Sequence, residues 1–204
     1  MPRISYIVSA YDRPKSLRGC LDSLLVQTDQ DFEVYVMDNA TVQEIHVEQE
    51  EYVQSLKDDR FHYVHTGAMN IGDCYWTGDY AVANLVTGEF VCFPSDDSYY
   101  VPKFGERMYR AAVQNHWDLV YCKMLYDDRL PDNRGEYDIL DVLPVVCRID
   151  KTGFIVRRSK FIPFPGKNPA DVTAPCCADG WLVQALVKSG IRHGKVRGVY
   201  VVHN

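Results

Sequence analysis

Residues 4–38 read ISYIVSAYDRPKSLRGCLDSLLVQTDQDFEVYVMD, and this stretch contains the local pattern from which the predicted fold follows. Its first apolar run, 4–9, predicts a short buried strand, and Pro14 then opens a helix because proline is favoured in the first helical turn. Leucines recur along that helix with the spacing of one buried face, at Leu17, Leu21, Leu24 and Leu25. The apolar run 32–37 predicts a second strand. A strand, a helix and a strand in this order favour a parallel pair joined by a right-handed crossover.

The alternation of strands and helices continues to residue 125. Apolar runs predict further strands at 61–65, 89–93 and 118–125. Helical patterns cover 75–87, which Gly88 follows, and the segment that Pro102 opens. Such alternation is typical of an α/β fold whose mostly parallel sheet is flanked by helices, and we expect residues 1–125 to form this regular part.

The remainder of the chain, 126–204, is less regular. Its predicted elements are a polar turn-rich segment, two strands, a Pro/Gly loop, a helix and a last strand, at 126–141, 145–149, 154–158, 164–177, 179–189 and 198–203. We expect a single domain over 1–204, in which 126–204 forms a smaller mixed half. The sequence stops one residue after the last predicted strand, and whether further residues follow 204 in the natural protein stays open.

Composition narrows the classes of protein that this chain can belong to. It has 204 residues, of which 47% are hydrophobic and 25% charged, as expected for one globular domain. The 22 basic and 28 acidic residues give a net charge of -6, which argues against a nucleic-acid partner. The N-terminus lacks a signal-peptide pattern, and no apolar run is long enough to cross a bilayer. We therefore expect a cytoplasmic protein without a transmembrane segment.

The seven cysteines are scattered and lie mostly in apolar runs, which predicts reduced core thiols rather than a disulfide framework. Cys176 and Cys177 are neighbours, but no second Cys or His pair follows at the spacing of a zinc site. A loop or a pocket wall is the simpler interpretation of that pair.

Polar residues follow three of the predicted strands, at the point where each strand ends. These residues are Ala10, Tyr11 and Asp12 after the first strand, Asp38 and Asn39 after the second, and Ser95 to Ser98 after the fourth. Ligands of open parallel sheets bind at the carboxyl ends of the strands, so we expect these clusters to meet at one edge.

Asp96 and Asp97 are the most unusual of these residues, because two adjacent carboxylates beside a buried strand repel each other and lose hydration. A metal ion, a basic residue or solvent could compensate them. If the edge binds a phosphorylated ligand, a divalent cation is required between the acids and the phosphates. Ligand oxygens favour Mg²⁺ or Mn²⁺ over zinc.

In these segments the chain resembles the family 2 glycosyltransferases of the GT-A fold. ISYIVSAYDRPKSLRGCLDSLLVQTDQDFEVYVMDNAT, at 4–41, is similar to their opening strand, YNRP-like turn, LxSLLxQT helix and VxVxDD strand. TGEFVCFPSDDSYYVP, at 87–102, resembles their GEYIxxLDDDDxxxP segment, which carries the acidic metal motif written DxD. CADGWLVQALVKSG, at 177–190, is similar to the acid-led helix of the family. The resemblance implies a GT-A Rossmann-like fold and a nucleotide-sugar-dependent glycosyltransferase.

Carried over to this sequence, the resemblance implies four contacts to the nucleotide sugar. Tyr11, with Ala10 beside it, would stack on the base, and Asp38 would accept a hydrogen bond from a base such as uracil. Asp96 would contribute to the same site. The implied donor is a nucleoside diphosphate sugar, here expected to be UDP-linked.

The resemblance also implies a metal site and a catalytic base. Asp97 would hold Mn²⁺ or Mg²⁺ against the donor diphosphate, and His203 would be a further metal or phosphate contact. Asp179 would be the general base that takes the proton from an acceptor hydroxyl, of a carbohydrate or another molecule. The metal would stabilise the leaving diphosphate, and attack from the opposite face would invert the anomeric configuration.

Departures from the family pattern concern the donor. Asn39 stands where a second Asp is common, and an arginine that often precedes the acidic motif is absent from WTGDYAVAN at 76–84. The identity of the donor and the contacts that bind its diphosphate therefore stay open. The sequence also leaves open the sugar, the acceptor and the oligomeric state.

Simpler interpretations of the acidic residues also stay open. Asp96 and Asp97 could cap a helix or form a turn, Asp179 could be an N-cap, and His203 could be merely exposed or packed.

Two other functions remain possible at this point. A sugar-phosphate nucleotidyltransferase would need a Gly-rich basic loop after its first strand, whereas SAYDRPKS at 9–16 contains no glycine. A catalytically silent nucleotide-sugar binding module would keep the functions of Asp38 and Asp97 and tolerate the loss of Asp179.

Overall fold

The computed structural model describes residues 1–67, 74–126, 138–140, 149–163 and 178–203. Its strands are β1 (Ile4–Ala10), β2 (Phe32–Asp38), β3 (Phe61–His65), β4 (Phe90–Cys92), β5 (Ser98–Tyr100), β6 (Leu119–Tyr126), β7 (Asp138–Leu140), β8 (Phe154–Arg157) and β9 (His193–His203). Its helices are α1 (Pro14–Leu25), α2 (Gln43–Ser55), α3 (Cys74–Asn84), α4 (Phe104–Asn115) and α5 (Ala178–Lys188), with short 3-10 turns at Lys151–Gly153 and Arg158–Lys160.

The described strands form one sheet in the order β3-β2-β1-β4-β8-β6-β9-β5, with β7 paired to β6. The four strands β3, β2, β1 and β4 are parallel to one another. Strand β8 runs antiparallel to β4 and β6, β9 is parallel to β6, and β5 is antiparallel to β9. The predicted α/β fold with its mostly parallel sheet is confirmed, and the second half of the chain adds the mixed part.

The hydrophobic core is built from the apolar faces that the sequence pattern predicted. Helix α1 begins at Pro14 and buries Leu17, Cys20, Leu21 and Leu24, while β1 and β2 are buried along almost their whole length. Cys20, Cys92 and Cys122 are buried free thiols, as predicted. Cys176 and Cys177 lie outside the described residues.

Helix α2, like the short strands β5 and β7, is an element that the sequence pattern did not predict. Its buried residues are His46, Gln49 and Val53, so two of the three positions that face the protein carry polar side chains. The spacing is helical, but the apolar stripe on which the prediction relied is missing. Strand β5 was also missed, because three residues beside two carboxylates give too short a pattern.

Other boundaries differ by a few residues from the prediction. The last strand begins at His193 rather than at 198, and Gly190, with φ of 83°, follows helix α5. The predicted strand at 154–158 is β8, whereas 145–148 and the loop at 164–177 lie outside the described residues. No helix in the described part of the chain is long and apolar enough to span a bilayer.

The amino end of the parallel sheet is fixed by a buried acid, Glu33. Its carboxylate accepts hydrogen bonds from the Ser5 hydroxyl at 2.6 Å and from the backbone N–H groups of Thr87 and Gly88 at 2.6 and 3.1 Å. A Cβ at Gly88 would lie 2.8 Å from the Ser5 nitrogen, so the close approach of the chain there requires glycine. This arrangement sets the start of β4, and therefore where the acids after β4 emerge.

Candidate functional site

The polar segments after the parallel strands meet at the carboxyl edge of the sheet. Ala10 pairs with Asp38 in the β1–β2 register, and the Asn39 N–H donates to the Ala10 carbonyl at 3.0 Å. Ser9 forms a parallel bridge with Ser95, and the Asp96 N–H donates to the Ser9 carbonyl at 3.1 Å. The structure thus brings the three predicted clusters together around the end of β1.

Asp38 is fully enclosed at this edge and is held by internal donors. One carboxylate oxygen accepts the Ala40 N–H at 2.7 Å, and the other accepts the Tyr63 hydroxyl and lies 2.8 Å from His46 Nδ1. Burial and the hydrogen bond to Asp38 raise the pKa of Tyr63, which therefore stays protonated and donates. A nucleobase that donates to Asp38 would join or replace these partners.

Tyr11 lies beside this cluster with its ring in solvent, 49% exposed. Its backbone is fixed on both sides, because its N–H donates to Asp96 Oδ2 at 2.9 Å and its carbonyl accepts the amide of Gln49 from α2. An exposed ring on a fixed backbone is suited to stacking against a planar ligand. Its neighbour Ala10 is buried at the end of β1, so it can contribute only through its backbone.

Asp96 and Asp97 are buried side by side, and a basic residue compensates them. The guanidinium of Arg13 donates through one terminal nitrogen to Asp97 Oδ2 and through the other to Asp96 Oδ1. Burial raises the pKa of the Asp96 carboxyl, and the positive charge of Arg13 acts in the opposite direction. The sequence left open whether a metal ion, a basic residue or solvent compensates the two carboxylates. In the structure a basic residue, Arg13, does so.

His203 lies next to the same pair, as the last residue of β9. Its Nδ1 is 3.4 Å from Asp97 Oδ1 and 2.9 Å from the Ser98 hydroxyl, because Ser98 and His203 are paired across β5 and β9. The structure therefore brings together the two residues that the sequence assigned to a metal.

The donor set around Asp97 fits a hard divalent cation. Asp97 Oδ1 is buried and accepts no hydrogen bond from the residues that the structure describes. Neighbouring ligands of an octahedral Mg²⁺ site are spaced by roughly 3 Å, close to the distance from this oxygen to His203 Nδ1. No three or more His, Cys, Asp or Glu side chains in the described ranges form a ready metal cluster. Such ions are commonly held by one or two carboxylates together with substrate phosphates.

Asp179, at the start of α5, is connected to this edge through Lys151. The Lys151 N–H donates to Asp179 Oδ2 at 3.0 Å, and the Lys151 ammonium lies 3.2 Å from the hydroxyl of Ser9 in β1. Asp179 and Lys151 are both buried. A carboxylate from the second half of the chain is thus held near the end of β1.

Several residues of the site were missed by sequence reasoning. Arg13 stands in the quoted turn YDRP, but no local pattern indicates which carboxylates its side chain reaches. His46 and Gln49 lie on the helix that was not predicted, and their three-residue spacing is the signal that could have found them. No sequence pattern indicates that Tyr63 and Lys151 belong to the site, because their contacts form only in the folded chain.

Comparison with known proteins gives the family. The sequence model of glycosyl transferase family 2 matches residues 5–140. EpsH and EpsJ of Bacillus subtilis (strain 168), both of which carry glycosyltransferase in their names, are 30% and 28% identical over 121 and 122 residues. These matches cover 59% and 60% of this chain but only 33% and 34% of the relatives, so the chain spans about a third of their length.

Solved structures share the fold. TarS of S. aureus (residues 1–349) superposes with a TM-score of 0.70 at 21% identity, over 99% of this chain and 60% of that chain. The mannosyltransferase PcManGT from Pyrobaculum calidifontis, in complex with GDP-Man and Mn²⁺, superposes with a TM-score of 0.68 at 17% identity, over 99% of this chain and 56% of that chain.

These findings favour a glycosyltransferase over the nucleotidyltransferase alternative. The family match spans the parallel strands and both buried acids that follow β4, and the described fold agrees with that of the solved glycosyltransferases. The chain therefore belongs to glycosyl transferase family 2.

Proposed function

We propose that this chain transfers a sugar from a nucleoside diphosphate sugar to an acceptor hydroxyl, with inversion at the anomeric carbon and with Mn²⁺ or Mg²⁺ as cofactor. One observation carries the proposal: the buried pair Asp96–Asp97 lies at the same edge of the sheet as exposed Tyr11, with His203 beside it. This edge can offer a surface for a base and carboxylates for a metal-bound diphosphate.

The metal would be held by Asp97 and His203, with Asp96 beside them. When bound, it would supply Lewis-acid stabilisation of the diphosphate as that group gains charge. Asp97 Oδ1 supports this assignment, since it accepts no hydrogen bond from the described residues and burial of a carboxylate oxygen without a donor is costly. A protein of the same fold supports the choice of a divalent metal, because PcManGT was solved in complex with GDP-Man and Mn²⁺.

The nucleotide would lie against Tyr11 and the Asp38 cluster. Tyr11 would stack on the base, while Asp38 would accept from it at the edge of the network that His46 and Tyr63 form. A UDP-linked donor is proposed because TarS has been solved with UDP and with UDP-GlcNAc.

Asp179 would act as the general base. The Lys151 N–H orients its carboxylate through Oδ2, and the link from Lys151 to Ser9 keeps it close to the donor edge. An acceptor hydroxyl beside Asp179 would lose its proton to this carboxylate as its oxygen attacks the sugar. We assign donor binding to residues 1–125 and acceptor binding to residues 126–204, within a single domain.

A binding screen tests the proposal. UDP, GDP, dTDP and CDP are titrated by calorimetry with and without Mn²⁺. We expect UDP to bind, and to bind more tightly with Mn²⁺. Equal affinity for UDP with and without Mn²⁺ would refute the proposal that the protein uses a metal cofactor. Tighter binding of GDP than of UDP would show that the donor is GDP-linked.

A further inference from the structure

Arg13 is a cation already bound to the two carboxylates that the proposed metal site would use. Its guanidinium bridges Asp96 Oδ1 and Asp97 Oδ2, so each carboxylate gives one oxygen to the same cation. The remaining oxygen of Asp96 accepts the Tyr11 N–H. Before the pair can give both carboxylates to a metal ion, Arg13 has to leave at least one of them.

Because of the charges, a metal ion would have to replace the Arg13 guanidinium at the acidic pair rather than bind beside it. Two ionised carboxylates and one guanidinium leave a single net negative charge at the buried pair, and a guanidinium beside a divalent cation is repelled by it. Arg13 contacts Asp97 through Oδ2, so a metal ion at Oδ1 would share that carboxylate with the guanidinium. Arg13 therefore opposes the binding of metal to the empty site.

Exposure shows which member of the cluster can move. The Arg13 side chain is 49% exposed, whereas the side chains of Asp96 and Asp97 are 0% and 9% exposed. The acids are fixed by the sheet edge, while Arg13 reaches them from the turn before α1 on a long side chain. Rotation of that side chain can release the pair without unfolding any element.

A diphosphate gives the displaced guanidinium a new partner. Guanidinium groups bind phosphate oxygens with two parallel hydrogen bonds and stay charged under all ordinary conditions. The diphosphate of a bound donor would lie beside the metal and within reach of the same turn. Arg13 can then exchange carboxylate oxygens for phosphate oxygens at little net cost.

We infer that Arg13 couples metal binding to donor binding: in the empty protein it occupies the acidic pair and opposes the metal, and it yields the pair when a diphosphate can receive it. The inference rests on the proposed function, since it concerns the regulation of that site. Linkage makes the coupling reciprocal, so the diphosphate strengthens metal binding by the factor by which the metal strengthens diphosphate binding.

Removal of the guanidinium should weaken this coupling in a measurable way. In Arg13→Gln, Mn²⁺ should bind the empty protein roughly tenfold more tightly, since a charge-assisted bridge no longer competes. The gain in Mn²⁺ affinity on adding a nucleoside diphosphate should shrink. Arg13→Lys keeps one charge but cannot bridge two carboxylates, so its behaviour should lie between those of Arg13→Gln and the natural protein.

The experiment is a Mn²⁺ titration followed by electron paramagnetic resonance, without nucleotide, with UDP and with GDP. Arg18→Gln is the matched control, because Arg18 lies on α1 and forms an exposed ion pair with Glu48 at 2.8 Å. The inference is supported if Arg13→Gln tightens Mn²⁺ binding to the empty protein and reduces the nucleotide effect, while Arg18→Gln changes neither.

The possible failures are distinguishable. If the natural protein binds Mn²⁺ more tightly with a nucleotide, and Arg13→Gln shows the same affinities and the same gain, the inference is wrong and the proposed function stands. If the natural protein binds neither Mn²⁺ nor a nucleotide, both are wrong. Should Arg13→Gln not fold, the titration of Arg13→Lys decides in the same way.

Discussion

Two buried acidic clusters lie at the carboxyl edge of the sheet, and they differ in what compensates them. Asp38 is surrounded by donors from the protein interior: the Ala40 N–H, Tyr63 and His46. Asp96 and Asp97 are instead bridged by Arg13, whose side chain is half exposed. A carboxylate with internal partners is fixed by the fold, whereas a pair held by an exposed cation can exchange that cation for another.

Because of this difference, we expect substitutions in the two clusters to have different effects. Replacement of Asp38 disturbs a buried hydrogen-bond network and should show mainly in stability. Replacement of Asp97 changes a site whose partner can be exchanged, and should show mainly in metal binding and turnover.

Asp97→Asn should abolish most of the activity. The variant loses a charged ligand of the proposed metal, and we expect turnover of the nucleotide sugar to fall by about 10³-fold or more, the cost of several kcal/mol of transition-state stabilisation. Turnover is measured with saturating Mn²⁺ and the donor identified by the binding screen. Activity within a few-fold of the natural protein would show that the acidic pair is not the metal site.

Asp179→Asn should impair turnover while donor binding is kept. Loss of a general base costs roughly 10²- to 10⁴-fold in rate. The hydrogen bond from the Lys151 N–H can be retained by the Asn carbonyl, so the local structure has no reason to change. Parallel turnover and UDP-binding measurements separate the two effects. Unchanged turnover would refute the assignment of the base.

Asp38→Asn should destabilise the protein by about 2 kcal/mol, because an amide cannot accept from all the donors that converge on the carboxylate. Urea unfolding measures the change in the free energy of unfolding. Tyr63→Phe is the matched control, since it removes one of these hydrogen bonds and should cost about 1 kcal/mol. If Asp38→Asn is as stable as the natural protein, the contrast between the clusters fails.

Tyr11→Ala should produce the smallest effect. Stacking on an aromatic ring contributes about 1–3 kcal/mol per base, so UDP affinity should fall by about tenfold. Stability should hardly change, since the ring is largely in solvent and its backbone contacts do not depend on it. Tyr11→Phe should keep the affinity. Equal UDP binding by Tyr11→Ala would show that the base lies elsewhere.

The parallel part of the fold could be predicted because its information is local. The apolar runs of β1 and β2 and the leucine face of α1 are encoded in consecutive residues, and the observed bounds agree to within one residue. Helix α2 could not be predicted in this way, because His46 and Gln49 are buried in place of apolar side chains. Their burial makes sense only next to Asp38 and the Tyr11 carbonyl, which the helix contacts after folding.

The site was predictable only in part, for the same reason. Strand ends in a parallel sheet meet at one edge, so the meeting of Ala10, Asp38 and Asp96 follows from topology. The contact of Arg13 with Asp96 joins residues 83 apart in the sequence, and Lys151 reaches Ser9 across 142 residues. Side-chain contacts over such separations depend on packing that no local pattern records.

The most direct test of the account is the affinity for UDP with and without Mn²⁺, measured on the natural protein and on Asp97→Asn. We expect Mn²⁺ to strengthen UDP binding by the natural protein and to have no effect on the variant, which should keep the weaker, metal-independent affinity. Equal strengthening by Mn²⁺ in both proteins would contradict the claim that the acidic pair after β4 holds the metal against the donor diphosphate.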